Sequence, residues 1–292
     1  MKSFSIALLF ACSLMASTVH AQQDPALFQP GLISDGGVFA LALSPDGQQA
    51  FWVQSQGRRV ALRIMSSSKL NGVWQTPQVA SFSRDTQWKD IDPAISPDGK
   101  TLIFQSNRPV HGKPERKGFD IWASKKTEHG WGEAYHLGNV INTDASESSA
   151  SIAANGNIYF MKENEEAAQQ SDLYVSRFIN GAYQTPENLG SPINSKERES
   201  NPYIAPDESY LIYFSTKPGG YGDVDLYISF REQDKWTEAV NLGQPINSTA
   251  AEFCPLIHQG RIYLSRQVKQ GDRFIENIYS FPFDAEQYRS RR

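Results

Sequence analysis

The chain has 292 residues, of which 39% are hydrophobic and 12% aromatic, and its formal net charge is −4. This composition supplies enough apolar material for a sizeable core and excludes an intrinsically disordered chain. The small negative charge gives the molecule no overall attraction to nucleic acid or anionic lipid, so we expect no nucleic-acid partner.

The first segment has the features of a secretory signal peptide. Lys2 is followed by a mostly apolar run over residues 4–15 and by the small-residue site Val19-His20-Ala21 before Gln22. This pattern predicts cleavage after Ala21, a mature chain of residues 22–292 and a periplasmic or secreted location. A lipoprotein signal ending at Cys12 is the alternative. No later stretch reaches the ~20 apolar residues of a transmembrane helix, so we expect no transmembrane segment.

Cleavage after Ala21 would leave Cys254 as the only cysteine, so no intrachain disulfide could form. The neighbours of Cys254 are apolar, which favours a small buried side chain over a reactive nucleophile. The sequence also lacks the Gly-x-Ser-x-Gly elbow of many serine hydrolases and the His and Cys spacings of zinc sites.

The rest of the chain repeats itself with a period of about 52 residues. The turn Ser44-Pro45-Asp46-Gly47 recurs at residues 96–99, 153–156 and 205–208, and in a degenerate form at 258–260. A second marker of the Asp-Leu-Tyr type stands at residues 120–122, 172–174, 225–227 and 277–279. A third marker is the aromatic row Trp74, Trp131, Tyr183 and Trp236. Because the three markers keep the same register, the repetition is not a product of chance.

Each repeat is predicted to form four short strands, with the Pro-Asp-Gly turn between the first two, the Asp-Leu-Tyr segment in the third and the aromatic residue in the fourth. Four-stranded units of ~40–50 residues are typical of an all-β propeller. We predict five blades, at about residues 35–83, 88–142, 145–195, 198–248 and 252–285. The last repeat lacks its fourth strand, and residues 24–34 resemble that strand, so we expect them to close the ring. Six blades are the alternative, if residues 35–80 contain a second degenerate unit.

The repeated Ser-Pro-Asp-Gly turn, the apolar strand after it and the Asp-Leu-Tyr-x-Ser segment together resemble the WD40-like (PD40) repeat of TolB-type β-propellers. The resemblance covers nearly all of residues 35–285, and the Asn-Leu-Gly-x-x-Ile-Asn segments at 188–194 and 241–247 resemble a variant common in exported bacterial propellers. It implies a scaffold for protein or ligand binding, and only in some relatives an enzyme. TolB has six blades and a separate N-terminal α/β domain, for which this chain has no room, so the role of TolB does not carry over.

Acidic residues recur in the loops that lead into the first strands. Asn142, Asn194 and Asn247 each precede an acid by five residues, namely Glu147, Glu199 and Glu252, and Asp90 occupies the equivalent position of the second repeat. Asp92, two residues later, breaks the repeat. Because the first strands of a propeller line its central channel, we expect these side chains to ring one mouth of the channel.

Three interpretations of this acidic ring are open. Each acid could satisfy the backbone N–H groups of its own loop, once per blade, which is the structural interpretation. The ring could instead bind a cation, with Ca²⁺ favoured by the oxygen-only ligands, or a cationic ligand. A catalytic pair of carboxylates is the third interpretation, but such a pair needs different environments for its two members, and equivalent repeat positions indicate equivalent ones.

Loops between second and third strands should share this face of the propeller, and the loop of the second repeat is longer and basic. The candidate rim residues are Arg108, Lys113, Arg116, Lys117, Lys217 and Tyr221. We predict an exported, non-catalytic propeller that binds an envelope protein or peptide on this face, or a glycan, with no cofactor apart from an optional Ca²⁺. The alternative is a carbohydrate-active enzyme of the glycoside hydrolase type that uses the channel-mouth carboxylates.

Overall fold

The computed structural model describes residues 25–112, 118–164 and 170–290, and nearly every regular element in these ranges is a β-strand. The exceptions are a 3₁₀ turn at Ser81–Ser83 and the short helix α1 at Glu286–Arg289. No helix within these ranges has the length and apolar character needed to cross a membrane. The predicted signal peptide, with Cys12, lies outside the described residues.

The strands form five antiparallel blades, numbered here in chain order. The short strand β1 is Ala26–Leu27. Blade 1 contains β2 (Val38–Leu43), β3 (Gln49–Gln56), β4 (Ala61–Leu70), β5 (Val73–Trp74) and β6 (Gln78–Val79). Blade 2 contains β7 (Asp90–Ile95), β8 (Thr101–Ser106), β9 (Asp120–Thr127), β10 (Gly130–Trp131) and β11 (Tyr135–His136).

Blades 3 to 5 repeat this plan. Blade 3 contains β12 (Glu147–Ile152), β13 (Ile158–Glu163), β14 (Ser171–Ser176), β15 (Phe178–Ile179), β16 (Ala182–Tyr183) and β17 (Glu187–Asn188). Blade 4 contains β18 (Glu199–Ile204), β19 (Tyr210–Ser215), β20 (Asp225–Glu232), β21 (Lys235–Trp236) and β22 (Val240–Asn241). Blade 5 contains β23 (Ala251–His258), β24 (Arg261–Gln270) and β25 (Arg273–Pro282).

The first strands of the blades contact one another in a closed ring, in the order β2, β7, β12, β18, β23 and back to β2. They line the central channel, and the second, third and fourth strands of each blade follow outward. This arrangement confirms the prediction of a five-bladed β-propeller over its six-bladed alternative.

The core lies between adjacent blades, where the second strands are buried on both faces. Trp52, Phe104, Phe160 and Tyr213, on the second strands of four blades, are all 3% exposed or less. The outer aromatic row packs across the blade boundaries: Trp131 lies edge-on to Phe51 of blade 1, Trp236 to Tyr159 of blade 3, and Trp74 to Phe28 of the N-terminal segment. Aromatic contacts of this kind stabilise the boundary beyond the apolar area they bury.

The turns between first and second strands are stabilised by their own side chains. In blade 1, Asp46 Oδ1 accepts hydrogen bonds from Ser44 Oγ at 2.5 Å and from the Gln48 amide at 3.0 Å. The hydrogen bond from Ser44 is the largest of the effects that hold the pKa of Asp46 below its ordinary value. Gly47 adopts a φ of 67°, which glycine reaches without steric cost. Pro-Asp-Gly is therefore a locally determined turn, and blade 2 repeats its hydrogen bonds.

The N-terminal strand closes the ring, as predicted. β1 pairs antiparallel with β25, with Ala26 opposite Ser280 and Leu27 opposite Tyr279. The pairing continues through the Phe28 amide, which donates to the Ile278 carbonyl at 2.9 Å. Blade 5 therefore obtains its outermost strand from the other end of the described chain.

Candidate functional site: a well at the mouth of the central channel

The acids of blades 3 to 5 are buried inside their blades, whereas the sequence predicted that they ring one mouth of the channel. Glu147, Glu199 and Glu252 are fully buried, and each accepts the backbone N–H and the side-chain hydroxyl of the residue four positions earlier. The partners are Thr143, Ser195 and Ser248. Each glutamate thus holds the loop that enters its own blade, which is the structural interpretation of the repeat.

Asp90 and Arg108 form a buried pair in blade 2. Asp90 is 1% exposed, and its Oδ2 accepts a hydrogen bond from Arg108 Nη2 at 2.8 Å. The Arg108 guanidinium also lies over the rings of Phe104 and Trp122, at 5.2 and 5.6 Å from their centroids. Arg108 is therefore part of the blade and not of the rim where the sequence predicted it.

The three asparagines of the repeat fasten the same loops to the third strands. Each side chain accepts a hydrogen bond from one backbone amide of a third strand and donates one to the carbonyl of the same residue. The pairs are Asn142 with Ile121, Asn194 with Leu173, and Asn247 with Leu226. The Nδ2 group of each asparagine also contacts a second side chain, namely His136, Asn188 and Asn241 in turn. The three asparagines therefore hold the loops and do not form a binding surface.

The remaining rim residues fall into two groups. Lys113, Arg116 and Lys117 lie outside the described residues. Lys217 places its Nζ 5.8 Å from the centroid of the Tyr227 ring, and Tyr221 is 48% exposed in the loop between β19 and β20. Of the described rim set, Tyr221 is thus the side chain most available to a partner.

A different ring of residues lies at the centre of the channel. Each first strand contains a β-bulge, at which one residue adopts a positive φ between 48° and 55°. These residues are Ala40, Asp92, Ser149, Asn201 and Cys254. They stand at equivalent positions of the five repeats, so the bulges bring one residue from every blade toward the axis. We call this set the bulge ring.

Three residues of the bulge ring donate hydrogen bonds to a fourth, Asp92. Its carboxylate accepts hydrogen bonds from Ser149 Oγ at 2.8 Å, from Asn201 Nδ2 at 3.5 Å and from Cys254 Sγ at 3.7 Å. Burial among protein atoms raises the pKa of Asp92 by more than these bonds and the charge of Arg59 lower it. Burial also raises the pKa of the Cys254 thiol, which keeps it protonated and a weak nucleophile.

A well of 370 Å³ opens on one side of the bulge ring, at the face where loops enter the first strands. Its walls include the aromatic residues Phe39, Phe119, Phe214 and Phe253, the cations Arg59 and Arg198, and the acids Asp92 and Glu163. The cavity on the other side of the bulge ring measures 90 Å³. The bulge ring therefore forms a constriction, with Asp92 at the floor of the larger well.

The two arginines reach the well from different blades. Arg59 lies in the tight turn between β3 and β4, where Arg58 and Arg59 adopt φ values of 57° and 64°. Its guanidinium stacks 4.5 Å from the centroid of Phe39 and forms an ion pair with Glu276. Arg198 precedes β18, and its guanidinium lies 5.4 Å from the centroid of Phe214.

The described side chains of the well do not form a cluster of metal ligands. No three His, Cys, Asp or Glu side chains in the described ranges come close enough together to hold a metal ion. Ca²⁺ therefore stays a prediction from the sequence. What the described residues provide is one deep carboxyl group, two guanidinium groups and aromatic walls.

Sequence reasoning missed most of these residues. The bulge ring follows the repeat register, since Ala40, Asp92, Ser149, Asn201 and Cys254 are separated by 52, 57, 52 and 53 positions. That spacing was a usable signal, although the residue types differ from blade to blade. Arg198 lies in the repeated Asn-to-Glu loop, but other repeats have Ser146 or Ala251 at its position. Arg59 lies in a turn that contains none of the repeated markers, so the repeat gave no sign of either arginine.

Comparisons with known proteins establish the fold and no family. No protein-family model matches the chain, and no curated protein matches its sequence. Similar solved structures include a GH43_12 protein retrieved from capybara gut metagenome (14% identity, TM-score 0.55, over 91% of this chain and 55% of that one). An α-L-arabinofuranosidase from Lactobacillus brevis is similar at 12% identity and a TM-score of 0.54, over 88% of this chain and 94% of that one.

TolB from Acinetobacter baumannii is also matched, at 15% identity and a TM-score of 0.46, over 85% of this chain and 55% of TolB. The chain thus spans about half the length of TolB and of the GH43_12 protein. A fold shared at such low identity hosts many unrelated functions. The comparisons therefore show a shared fold alone, and the function of this chain has to be argued from its own site.

Proposed function

We propose that this propeller is a non-catalytic binding module of the cell envelope, and that it receives part of a protein or peptide partner in the well at the channel mouth. The observation that carries the proposal is the lining of the well, which combines aromatic walls with a few charged groups. Ligand sites are typically concave and largely apolar, with a small number of polar groups that fix orientation. The volume of 370 Å³ lies at the small end of such sites.

Two features of the sequence support an envelope location. The first 21 residues match a cleavable signal peptide, and the repeats resemble those of exported bacterial propellers. A rigid ring of blades that presents loops on one face is a common scaffold for binding. The open mouth face fits this role.

Hydrolysis of a glycosidic bond would have to use the two carboxyl groups that line the well. Such enzymes use two carboxyl groups ~5–10 Å apart, one as acid and the other as base or nucleophile. Glu147, Glu199 and Glu252 are fully buried and bonded to their own loops. This leaves Asp92 at the floor of the well and the exposed Glu163 on its wall.

A glycoside hydrolase remains the second candidate because of Asp92. Burial raises its pKa, as it does for the general acids of such enzymes. One of the similar structures is an α-L-arabinofuranosidase, which suggests arabinofuranosides as test substrates. If this candidate were correct, Asp92 would be the acid and Glu163 the second carboxyl group.

Site-specific photocrosslinking in the native envelope tests the binding function. The crosslinker replaces Val60, which is 75% exposed beside Arg59, and in the control it replaces Gln48 in the turn between β2 and β3, on the opposite face. We expect a discrete protein adduct from position 60 and none from position 48. Adducts from both positions, or from neither, would contradict the proposal.

A turnover assay separates the two candidates. The purified protein is incubated with aryl arabinofuranosides and other aryl glycosides, next to an Asp92→Asn variant of similar shape. A binding module releases no aryl alcohol above the uncatalysed rate in either form. Release by the native protein that disappears in the variant would establish the hydrolase instead.

A further inference from the structure

Arg198 is a cation for which the described residues supply no ion-pair partner. Its guanidinium lies over the Phe214 ring, and burial lowers its pKa, with the positive charge of Arg59 acting in the same direction. The charge of Glu163 acts in the opposite direction, but within the described part of the chain no carboxylate lies at ion-pair distance from Arg198. The Arg198 side chain remains exposed to solvent at the mouth of the well, so an anion from solution can reach it.

Arg59 adds a second guanidinium to the same well, and its position is fixed. Glu276 accepts a hydrogen bond from Arg59 Nη2 and another from Gln267 Nε2, the latter at 2.7 Å. The Phe39 ring supports the other side of the guanidinium. A guanidinium carries five N–H donors, so the bond to Glu276 leaves donors free for a further acceptor. A rigid donor of this kind loses little entropy when it binds a planar anion.

The charges and the walls of the well restrict the kind of anion. Asp92 and Glu163 line the same well, so a doubly charged phosphate would meet more repulsion than a singly charged carboxylate. Arginine also matches the planar carboxylate in geometry. Leu62 and Met161 extend the aromatic walls and favour an apolar group, while Ser146, Ser148, Ser200 and Gln267 add polar atoms to the lining. An apolar group that ends in one carboxylate fits both the charges and the walls.

We propose that Arg198 and Arg59 bind the C-terminal carboxylate of a peptide, with its last side chain against the aromatic walls of the well. This proposal rests on the binding function proposed above and names the group that the well recognises. Arg198 is the main anchor because no carboxylate in the described ranges forms an ion pair with it. Arg59 contributes less because it is shared with Glu276.

Two peptides that differ in one group test the proposal. The probes are acetyl-Ala-Ala-Phe with a free C-terminal carboxylate and the same peptide with a C-terminal amide, titrated by calorimetry. A charge-assisted hydrogen bond lost in the amide corresponds to about a tenfold or larger loss of affinity. We expect the native protein to prefer the acid by that factor, and Arg198→Gln to show no preference.

Three further variants make the result specific. Lys196→Gln removes an equally exposed positive charge two residues away that does not line the well, and we expect it to keep the native preference. Arg198→Lys keeps the positive charge without the planar guanidinium group, and it should retain part of the preference for the acid peptide. Arg59→Gln should reduce it less than Arg198→Gln does. Melting curves show that each variant is folded.

Equal affinity for the two peptides, no binding of the acid peptide at millimolar concentration, or a preference that survives in Arg198→Gln would each overturn the carboxylate site. The crosslink from position 60 tests the binding function independently of the carboxylate site. A partner adduct that forms equally well in Arg198→Gln leaves the binding module standing without the carboxylate site. Absence of the adduct, together with a normal peptide preference, would contradict the envelope partner and leave the site standing.

Discussion

At the scale of single residues, three glutamates at equivalent positions have the same structural task. Glu147, Glu199 and Glu252 each accept a backbone N–H and a hydroxyl from a residue four positions earlier, and each starts or nearly starts a first strand. A buried carboxylate is tolerated where hydrogen-bond donors surround it. Repeated spacing in a sequence is therefore a guide to repeated structure before it is a guide to chemistry.

Glu199→Gln tests this role. Glu199 accepts hydrogen bonds from the Ser195 amide, from Ser195 Oγ and from Ser215 Oγ at 2.8 Å, and a glutamine would turn an NH₂ group toward some of these donors. We expect the free energy of unfolding to fall by about 1–3 kcal/mol in urea titrations. The exposed Glu133→Gln is the matched control and should change it little. A Glu199→Gln variant with native stability would rule out the loop-holding role.

Asp90 shows that an equivalent position in the repeat does not ensure equivalent hydrogen bonds. It occupies the position of the three glutamates, but its side chain is shorter by one methylene, and it pairs with Arg108 instead of a hydroxyl in its own loop. Its Oδ1 is buried and has no hydrogen-bond partner among the described residues. The sequence predicted that these four acids are equivalent in position, and it could not predict that one of them is bound differently.

At the scale of strands and turns, the four-strand pattern of each blade was readable because apolar residues alternate and the turns carry Pro, Asp and Gly. The bulges in the first strands could not be predicted from the sequence. Their positive φ values fall on Ala, Asp, Ser, Asn and Cys, and none of these positions carries the glycine that usually marks such a conformation. The floor of the well depends on these bulges, which is why Asp92 appeared in the sequence only as an acid that breaks the repeat.

The turn between β18 and β19 fastens blade 4 to blade 3. Glu208 stands where the other complete turns have glycine, with a φ of 60°, and is 8% exposed. It accepts hydrogen bonds from Asn157 Nδ2 at 2.8 Å, from Tyr159 Oη at 2.7 Å and from Arg231 Nη1 at 3.2 Å. A residue that is unfavourable for the turn is thus retained by contacts between blades.

Glu208→Gly removes both the unfavourable backbone conformation of the turn and the contacts between the blades. Relief of the left-handed backbone stabilises the turn by about 1 kcal/mol. Loss of the network leaves the largely buried Arg231 with only the exposed Asp234, at 3.8 Å, as its counter-ion, which costs about 2–3 kcal/mol for a pair that is not fully buried. We therefore expect a net loss of stability in urea titrations. Glu208→Gln, which keeps the shape but not the charge, should lie between the variant and the native protein, and a stabilised Glu208→Gly would show that the network contributes little.

At the scale of the whole molecule, the number of blades and the closure of the ring were predictable because both follow from the register of one repeated unit. The well was not. Its walls bring together Arg59 of blade 1, Glu163 of blade 3, Arg198 beside blade 4 and Phe253 of blade 5, which are far apart in the chain. Only the closed ring brings such residues to one mouth, where their charges meet.

Closure of the ring also decides how the molecule unfolds. Ile33 is 1% exposed in the core between blades 5 and 1, and Phe28 packs edge-on against Tyr263 at 5.4 Å between ring centroids. A chain that starts at Asp35 would lose both side chains and leave β25 without its outer partner. The buried apolar surface of these two residues contributes about 4–6 kcal/mol, and an open sheet edge promotes association.

We expect this shortened chain to have a lower melting temperature than one that starts at Pro25 and to form oligomers, as measured by thermal unfolding and by size-exclusion chromatography with light scattering. Phe28→Ala in the chain that starts at Pro25 keeps the strand pairing and removes only the ring. Its melting temperature should therefore lie between the two, with a loss of about 1–3 kcal/mol because Phe28 is only partly buried. If the shortened chain were monomeric and melted at the same temperature, closure by the N-terminal strand would have no part in stability. The contacts between the first strands alone would then hold the five blades together.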